Sequence, residues 1–148
     1  MNWIFLAIIS ALVYGGYNFF IKLASAQIHQ VLAAVILQAS ALAVGILILA
    51  FLRFRGVAIE YSSSGVRFAV LGGVSVAIGE ILAFYVFSHG VATSQGTPII
   101  VGGAVAAAAL YGMLFLRETL VPLQWLGLVF VVLGIVLLTF AEGARQGM

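Results

Sequence analysis

Five long apolar stretches follow one another along this 148-residue chain and leave little sequence between them. A helix needs about 20 apolar residues to cross the hydrocarbon core of a bilayer, and each stretch is that long. The sequence therefore predicts an all-α membrane protein, a bundle of five transmembrane helices in a single domain over residues 1–148. The predicted helices are about 3–25, 31–52, 66–89, 97–116 and 122–141.

The composition excludes a water-soluble domain and several kinds of site. Hydrophobic residues make up 65% of the chain and charged residues 7%, whereas soluble domains carry about 25% charged residues. The basic residues are scattered singly, so no nucleic-acid partner is predicted. Cysteine is absent and His29 and His89 lie far apart in sequence, so no metal site is predicted. No phosphate-binding glycine loop occurs, and no cofactor is expected.

The residues between the apolar stretches suggest where helices begin. The serines before Gly65, and Gly65 itself, can cap the third helix. Thr97 is predicted as the N-cap of the fourth helix, with Pro98 at its first position, where a missing N–H costs nothing. Pro122 plays the same part at the start of the fifth helix.

Basic residues at the helix ends predict the orientation in the membrane. The side on which odd-numbered helices begin holds four of them: Arg53, Arg55, Arg67 and Arg117. The opposite side holds Lys22 and Arg145. The positive-inside rule then favours a cytoplasmic N-terminus in the cell membrane, by a narrow margin. Such a weak bias is compatible with both orientations, which an antiparallel pair of identical chains would require.

Three polar side chains on three helices fall at one predicted depth. A rise of ~1.5 Å per residue places Asn18, Gln38 and Glu80 all about 20 Å from the side where the first helix begins. Gly102 and Gly103 reach a similar level on the fourth helix, where bare backbone could leave room for a ligand. The sequence thus predicts a polar layer inside the bundle.

Of the three residues in this layer, Glu80 is the one that can ionise. A carboxylate facing lipid is costly, so Glu80 should point inward and be either protonated or paired. It is therefore a candidate for proton coupling or for binding a cationic group, with Asn18 and Gln38 as polar contacts. A structural ion pair with Lys22 is the alternative, because the flexible lysine stem can span the difference in depth.

The other candidates have two interpretations each. Tyr14 and Tyr17 could stack on an aromatic or cationic ligand, or pack in the core with the hydroxyl group satisfied. Asn18 and Gln38 could equally be interhelical contacts without a ligand.

Several sequence segments resemble the EamA-like domain of the drug/metabolite transporter superfamily. They are ALVYGGYNFFIKLAS in the first helix, TPIIVGG and LRETL around the fourth, and QWLGLVFVVLGIVLL in the fifth. The most specific part is Glu118 followed by Gln124, Gly127 and Gly134. Glu118 belongs to the shared pattern, and its place beside Arg117 suggests a structural cap or ion pair.

The resemblance implies an architecture beyond a single bundle. Family members usually carry two five-helix units in tandem, the second inverted relative to the first, with a site near the membrane midplane. Helices one, three and four of each unit are expected to line the cavity, where Asn18, Glu80, Gly102 and Gly103 fall. Since one unit is present here, this chain is expected to form half of a ten-helix assembly. Its partner would be an inverted copy of itself, in a homodimer, or a related chain.

Two functions in different classes follow from this sequence. The first is a transporter subunit that moves a small metabolite, amino acid or drug-like compound by alternating access as a dimer. The second is an accessory or assembly subunit of another membrane protein that transports nothing itself. An enzyme is not expected, because hydrolysis or group transfer would need a second acid, a histidine or a nucleophile at the depth of Glu80, and Lys22 is the only ionisable neighbour.

Overall fold

The computed structural model describes residues 2–146, and side chains as far as residue 140. Its described residues form five α-helices and no strand: α1 Trp3–Ser25, α2 Gln30–Phe54, α3 Ser63–Ser88, α4 Thr93–Phe115 and α5 Pro122–Gln146. All five are long and apolar enough to cross a membrane, the span in α5 being Pro122–Phe140. The predicted fold class is confirmed.

Side-chain hydrogen bonds cap four of the helix starts, that of α1 through Asn2 Oδ1, which accepts from the Ile4 N–H at 3.2 Å. The Ser62 hydroxyl accepts a hydrogen bond from the Gly65 N–H at 3.1 Å, so α3 begins three residues before the predicted position. His29 Nδ1 accepts from the Val31 N–H at 3.3 Å and starts α2. At the start of α5, Gln124 Oε1 accepts from the Val121 N–H at 2.9 Å. Each cap satisfies an N–H that has no partner within its own helix.

The predicted start of α4 at Thr97 is wrong. The helix begins at Thr93, because the Ala92 carbonyl already accepts the Gly96 N–H at 2.9 Å. Pro98 therefore lies inside the helix rather than at its first position. It withholds one N–H from the carbonyl four residues before it, an arrangement that membrane helices tolerate.

The chain divides into two compact units, α1–α3 up to Gly90 and α4–α5 from Val91. In the first unit α3 is central, because it packs against both α1 and α2, whereas α1 and α2 touch each other little. The buried residues of this unit gather where α1 ends, α2 begins and α3 ends. They are Asn18, Ile21, Ser25, Ala33, Ala34, Ala83, Phe84 and Phe87. We call this region the closed end.

Hydrogen bonds between helices also lie at the closed end. Lys22 Nζ donates to the Phe87 carbonyl at 3.0 Å, which joins α1 to α3. Gln30 Nε2 donates to the Ser88 hydroxyl at 3.0 Å, which joins α2 to α3. The rest of the unit has no such cover: residues 3–16, 39–54 and 63–76 are all exposed. We call these three segments the uncovered half.

The second unit is a helical hairpin of α4 and α5. Arg117 has a positive φ of 56° and ends α4, after which the Glu118 N–H returns to the Gly112 carbonyl at 3.1 Å. Further along the hairpin, Gly102 lies against Ile135, since a Cβ at Gly102 would be 3.0 Å from Ile135 Cδ1. Small residues thus let the two helices approach closely.

Candidate functional site

The three polar residues of the predicted layer lie at one level of the first unit. Counted from the closed end at ~1.5 Å per residue, Asn18 lies about 10 Å along α1. Gln38 lies about 12 Å along α2, and Glu80 about 12 Å along α3. The hydrogen bond between Gln30 and Ser88 fixes the ends of α2 and α3 at the same height. We call Asn18, Gln38 and Glu80 the polar layer.

Helix periodicity aligns Glu80 with the packed face of its helix. Residues three and four apart share one face of a helix. Ala83 and Phe84, which follow Glu80 by three and four residues, are both buried. On α2, Gln38 follows the buried Ala34 by four residues. Both polar side chains therefore continue a packed face, one turn beyond the closed end.

Asn18 begins the packed face of α1. The residue is buried, with 5% of its surface exposed, and it precedes the buried Ile21 by three residues. Its amide Nδ2 donates to the Tyr14 carbonyl at 2.8 Å. One Nδ2 hydrogen is thus held by the same helix, and the amide has its Oδ1 and its second N–H left to offer.

Glu80 is half-buried, and one of its carboxyl oxygens is unsatisfied. The Oε2 atom is covered and has no hydrogen-bond partner among the described residues. A covered carboxyl oxygen without a donor is costly while the group is charged. The group must then carry a proton or receive a cation from outside this set of residues.

Lys22 does not supply that cation in this structure. Its ammonium group donates to the Phe87 carbonyl and lies 5.9 Å from the centre of the Phe87 ring. Phe87 is seven residues beyond Glu80, which is about 10 Å along α3. Lys22 thus belongs to the closed end rather than to the polar layer, and the alternative ion pair with Glu80 is not seen in the described residues.

An apolar cleft of about 320 Å³ runs between α1 and α2 and reaches the level of the polar layer, although none of the three residues of the layer lines it. It exists because both helices pack on α3 rather than on each other. Tyr17 and Phe84 contribute aromatic rings to its wall, and Tyr17 is the sequence neighbour of Asn18. Tyr14 is exposed, and its ring meets that of Tyr17 edge to face at 5.9 Å. The full lining is Tyr17, Phe20, Ile21, Ala24, Ile28, Ala33, Ile36, Leu37, Ser40 and Phe84.

The two candidate glycines belong to the second unit and differ from each other. A Cβ at Gly102 would meet Ile135. The space that the missing side chain leaves on this side is therefore filled by α5 and not open to a ligand. No atom lies within 4 Å of a Cβ at Gly103, so the space beside it is open. Gly102 also borders a second apolar cleft of about 370 Å³ between α4 and α5. Thr97 lines the same cleft, and its buried hydroxyl has no hydrogen-bond partner among the residues described.

Glu118 has a structural place at the turn after α4. Its carboxylate lies against the α-carbon of the buried Gly112, where any side chain at 112 would collide with it. Together with the backbone hydrogen bond from Glu118 to the Gly112 carbonyl, this contact fits the predicted structural cap.

Sequence reasoning did not identify all the residues that form the floor beneath the polar layer. Phe84 and Phe87 are among the most buried side chains of the described chain, and hydropathy does not separate them from the exposed phenylalanines. The spacing of four residues after Glu80 does place Phe84 on the same face of the helix, but Phe87, seven residues after Glu80, was not predicted. Ser88 gave no signal, because a serine at a helix end is usually solvated.

Comparison with known proteins supports one family. The family model described as EamA-like transporter family matches residues 1–140. The uncharacterized protein MJ1333.1 of Methanocaldococcus jannaschii is 33% identical over 75 residues, which cover 51% of this chain and 53% of that protein. The chain thus spans about half the length of this relative. No solved structure matches the chain.

Proposed function

This chain belongs to the EamA-like transporter family, and we propose that it is a subunit of a transporter that moves a small metabolite, amino acid or drug-like compound by alternating access. Membership of the family makes a membrane transport function the expected one. The five spans make the chain a multipass membrane protein. We place it in the cell membrane with a cytoplasmic N-terminus, as the basic residues at the helix ends favour.

The observation that carries the proposal is the covered Glu80 oxygen without a donor. Intramembrane acids are expensive and are therefore retained where they bind or relay charge. This one lies at the level of two amide side chains, Asn18 and Gln38, a level that an apolar cleft of about 320 Å³ also reaches. Pockets for small molecules combine such a mostly apolar wall with a few polar groups.

In the proposed cycle, Glu80 exchanges a proton or a cationic group between the two sides of the membrane. The closed end blocks the layer from one side, so that end must open for exchange there. Asn18 and Gln38 supply polar contacts to the substrate. Alternating access then consists of opening one end while the other closes around the same site.

We further propose that a second chain covers the uncovered half, either an inverted copy of this chain or a related partner. A substrate path through the polar layer needs walls on all sides, because acyl chains cannot solvate a polar substrate. Residues 3–16, 39–54 and 63–76 offer the surface on which such a partner would pack.

Uptake into proteoliposomes tests the role of Glu80. With a pH gradient imposed across the membrane, a panel of amino acids, metabolites and drug-like compounds is screened for uptake by the wild-type chain. For any substrate found, Glu80→Gln should reduce gradient-driven uptake to the level of empty liposomes, because the amide can neither bind a proton nor carry charge. Glu60→Gln is the matched control, since Glu60 is exposed and lies in the connection before α3. Glu80→Gln with wild-type uptake and an unchanged pH profile would refute the coupling role.

A further inference from the structure

We infer that the polar layer of the first unit binds an organic ammonium ion, with the charged nitrogen at Glu80 and an apolar body in the cleft between α1 and α2. The inference rests on the proposed function in taking this layer as the substrate site. It adds the chemical class of the ligand: a cationic amine with a hydrocarbon or aromatic portion, rather than a neutral or anionic compound.

The only ionisable group of the layer is a hydrogen-bond acceptor. Asn18 uses one of its two Nδ2 hydrogens on the Tyr14 carbonyl, which leaves its Oδ1 and one N–H. Glu80 in its ionised form is an acceptor only, and no donor reaches its Oε2 from the described residues. Gln38 is half-buried and offers an acceptor oxygen and two N–H donors. The two amides can adapt to either kind of ligand atom, whereas a ligand that satisfies the Glu80 carboxylate must donate hydrogen bonds.

The charges of the first unit favour a positively charged ligand. The ammonium of Lys22 is held by the Phe87 carbonyl and ring at the closed end. Arg67 lies thirteen residues before Glu80 on α3, about 20 Å away along the helix. Neither neutralises Glu80, so an ionised carboxylate there attracts a cation. A charge-assisted hydrogen bond from an ammonium group is about twice as strong as one between neutral groups.

The cleft between α1 and α2 has room for the apolar body of the ligand. Phe84 lines the cleft and lies one turn from Glu80 on the same face of α3. Tyr17 lines it from α1, next to Asn18 in sequence. The volume of about 320 Å³ is at the lower end of the range for small-molecule sites, so a single-ring body fits better than a large ligand. Aromatic rings beside a cation add cation–π attraction.

Calorimetric titration of the purified chain in detergent micelles tests this inference with three probes of one shape. They are 2-phenylethylammonium, 2-phenylethanol and 3-phenylpropanoate. The ammonium should bind roughly tenfold more tightly than the alcohol, the effect of one charge-assisted hydrogen bond, and the carboxylate should not bind. Glu80→Gln should remove the preference for the ammonium while Glu60→Gln retains it, a comparison that also cancels partition of the probe into micelles.

A second variant tests the cleft. Ala24→Leu, at the cleft wall, should weaken 2-phenylethylammonium and leave methylammonium, which has no apolar body, unaffected. Unchanged methylammonium binding also shows that the variant is folded.

Equal affinity for the ammonium and the alcohol, or full ammonium affinity in Glu80→Gln, would overturn the inference. These titrations need no transport. Wild-type chain that binds the amine but transports nothing would refute the proposed function alone, and transport of neutral or anionic compounds without amine binding would refute this inference alone.

Discussion

The two halves of the first unit are alike in composition and differ in packing. At the closed end, Phe84 is 2% exposed and Phe87 is fully covered, whereas Phe68 in the uncovered half of the same helix is 71% exposed. In water, a fold that exposes so many large apolar side chains would be unstable. In a bilayer, lipid is as apolar as a protein core, so hydrophobicity does not decide which side chains are buried.

What decides burial here is the ability of helices to approach and bond to each other. Ala33, Ala34 and Ala83 are all buried at the closed end, and such small side chains allow close contact between helices. Two hydrogen bonds between side chains and neighbouring helices then hold the contact, one from Lys22 and one from Gln30. The polar layer lies at the boundary between the two halves.

The largest difference between the two halves in the free energy of unfolding is expected when one phenylalanine in each half is truncated to alanine. Phe84→Ala should lower the free energy of unfolding by about 3–5 kcal/mol, because it leaves a cavity in the packed floor. Phe68→Ala, the same change on the same helix, should alter that of the chain without a partner by no more than about 0.5 kcal/mol. Unfolding by SDS in mixed micelles, at a protein concentration where the chain is monomeric, measures both. A comparable loss in Phe68→Ala under these conditions would contradict the difference between the two halves.

Removing the lysine of the closed end should have an intermediate effect. Lys22→Met deletes the hydrogen bond to the Phe87 carbonyl and should lower the free energy of unfolding by about 1.5–3 kcal/mol, as for bonds to charged groups. It should also let reagents reach the polar layer from the closed end.

The absence of cysteine from the chain makes that accessibility measurable. A single cysteine at Leu37, which lines the cleft, should react faster with a membrane-impermeant maleimide in Lys22→Met than in the parent. A cysteine at the exposed Ala26 identifies the side on which the closed end lies. Gln27→Ala is the control, since the Gln27 side chain, in the turn after α1, bonds to the Leu23 carbonyl of α1 and to no other helix among the described residues. If labelling at Leu37 is the same in all three proteins, Lys22 does not hold this end closed.

The smallest effect is expected at the second interhelical bond. Ser88→Ala removes the hydroxyl that accepts from Gln30 and should lower the free energy of unfolding by about 0.5–1.5 kcal/mol. Ser75→Ala in the uncovered half is its counterpart, because the Ser75 hydroxyl bonds to the Leu71 carbonyl within α3 and to no other helix among the described residues. A smaller loss of unfolding free energy for Ser75→Ala than for Ser88→Ala would support the difference in packing between the halves. The reverse order would contradict it.

Much of the candidate site could be predicted from position along the helices. Asn18, Gln38 and Glu80 were assigned a common depth from the rise per residue alone, and the observed helix bounds place them within about 2 Å of one level. The start of α4 was mispredicted because a threonine before a proline is a good N-cap in isolation. The backbone of Ala92 had already begun the helix one turn earlier.

The sequence by itself determined that the chain crosses a membrane five times and that an acid lies within the third span, because length and hydropathy suffice for both. Only the tertiary structure decided that Lys22 bonds to Phe87 rather than to Glu80. It alone also decided that one half of the first unit is closed while the other is not. The physical reason is that, in lipid, packing is set by the fit and hydrogen bonds between helices, which the hydropathy of a single helix does not encode.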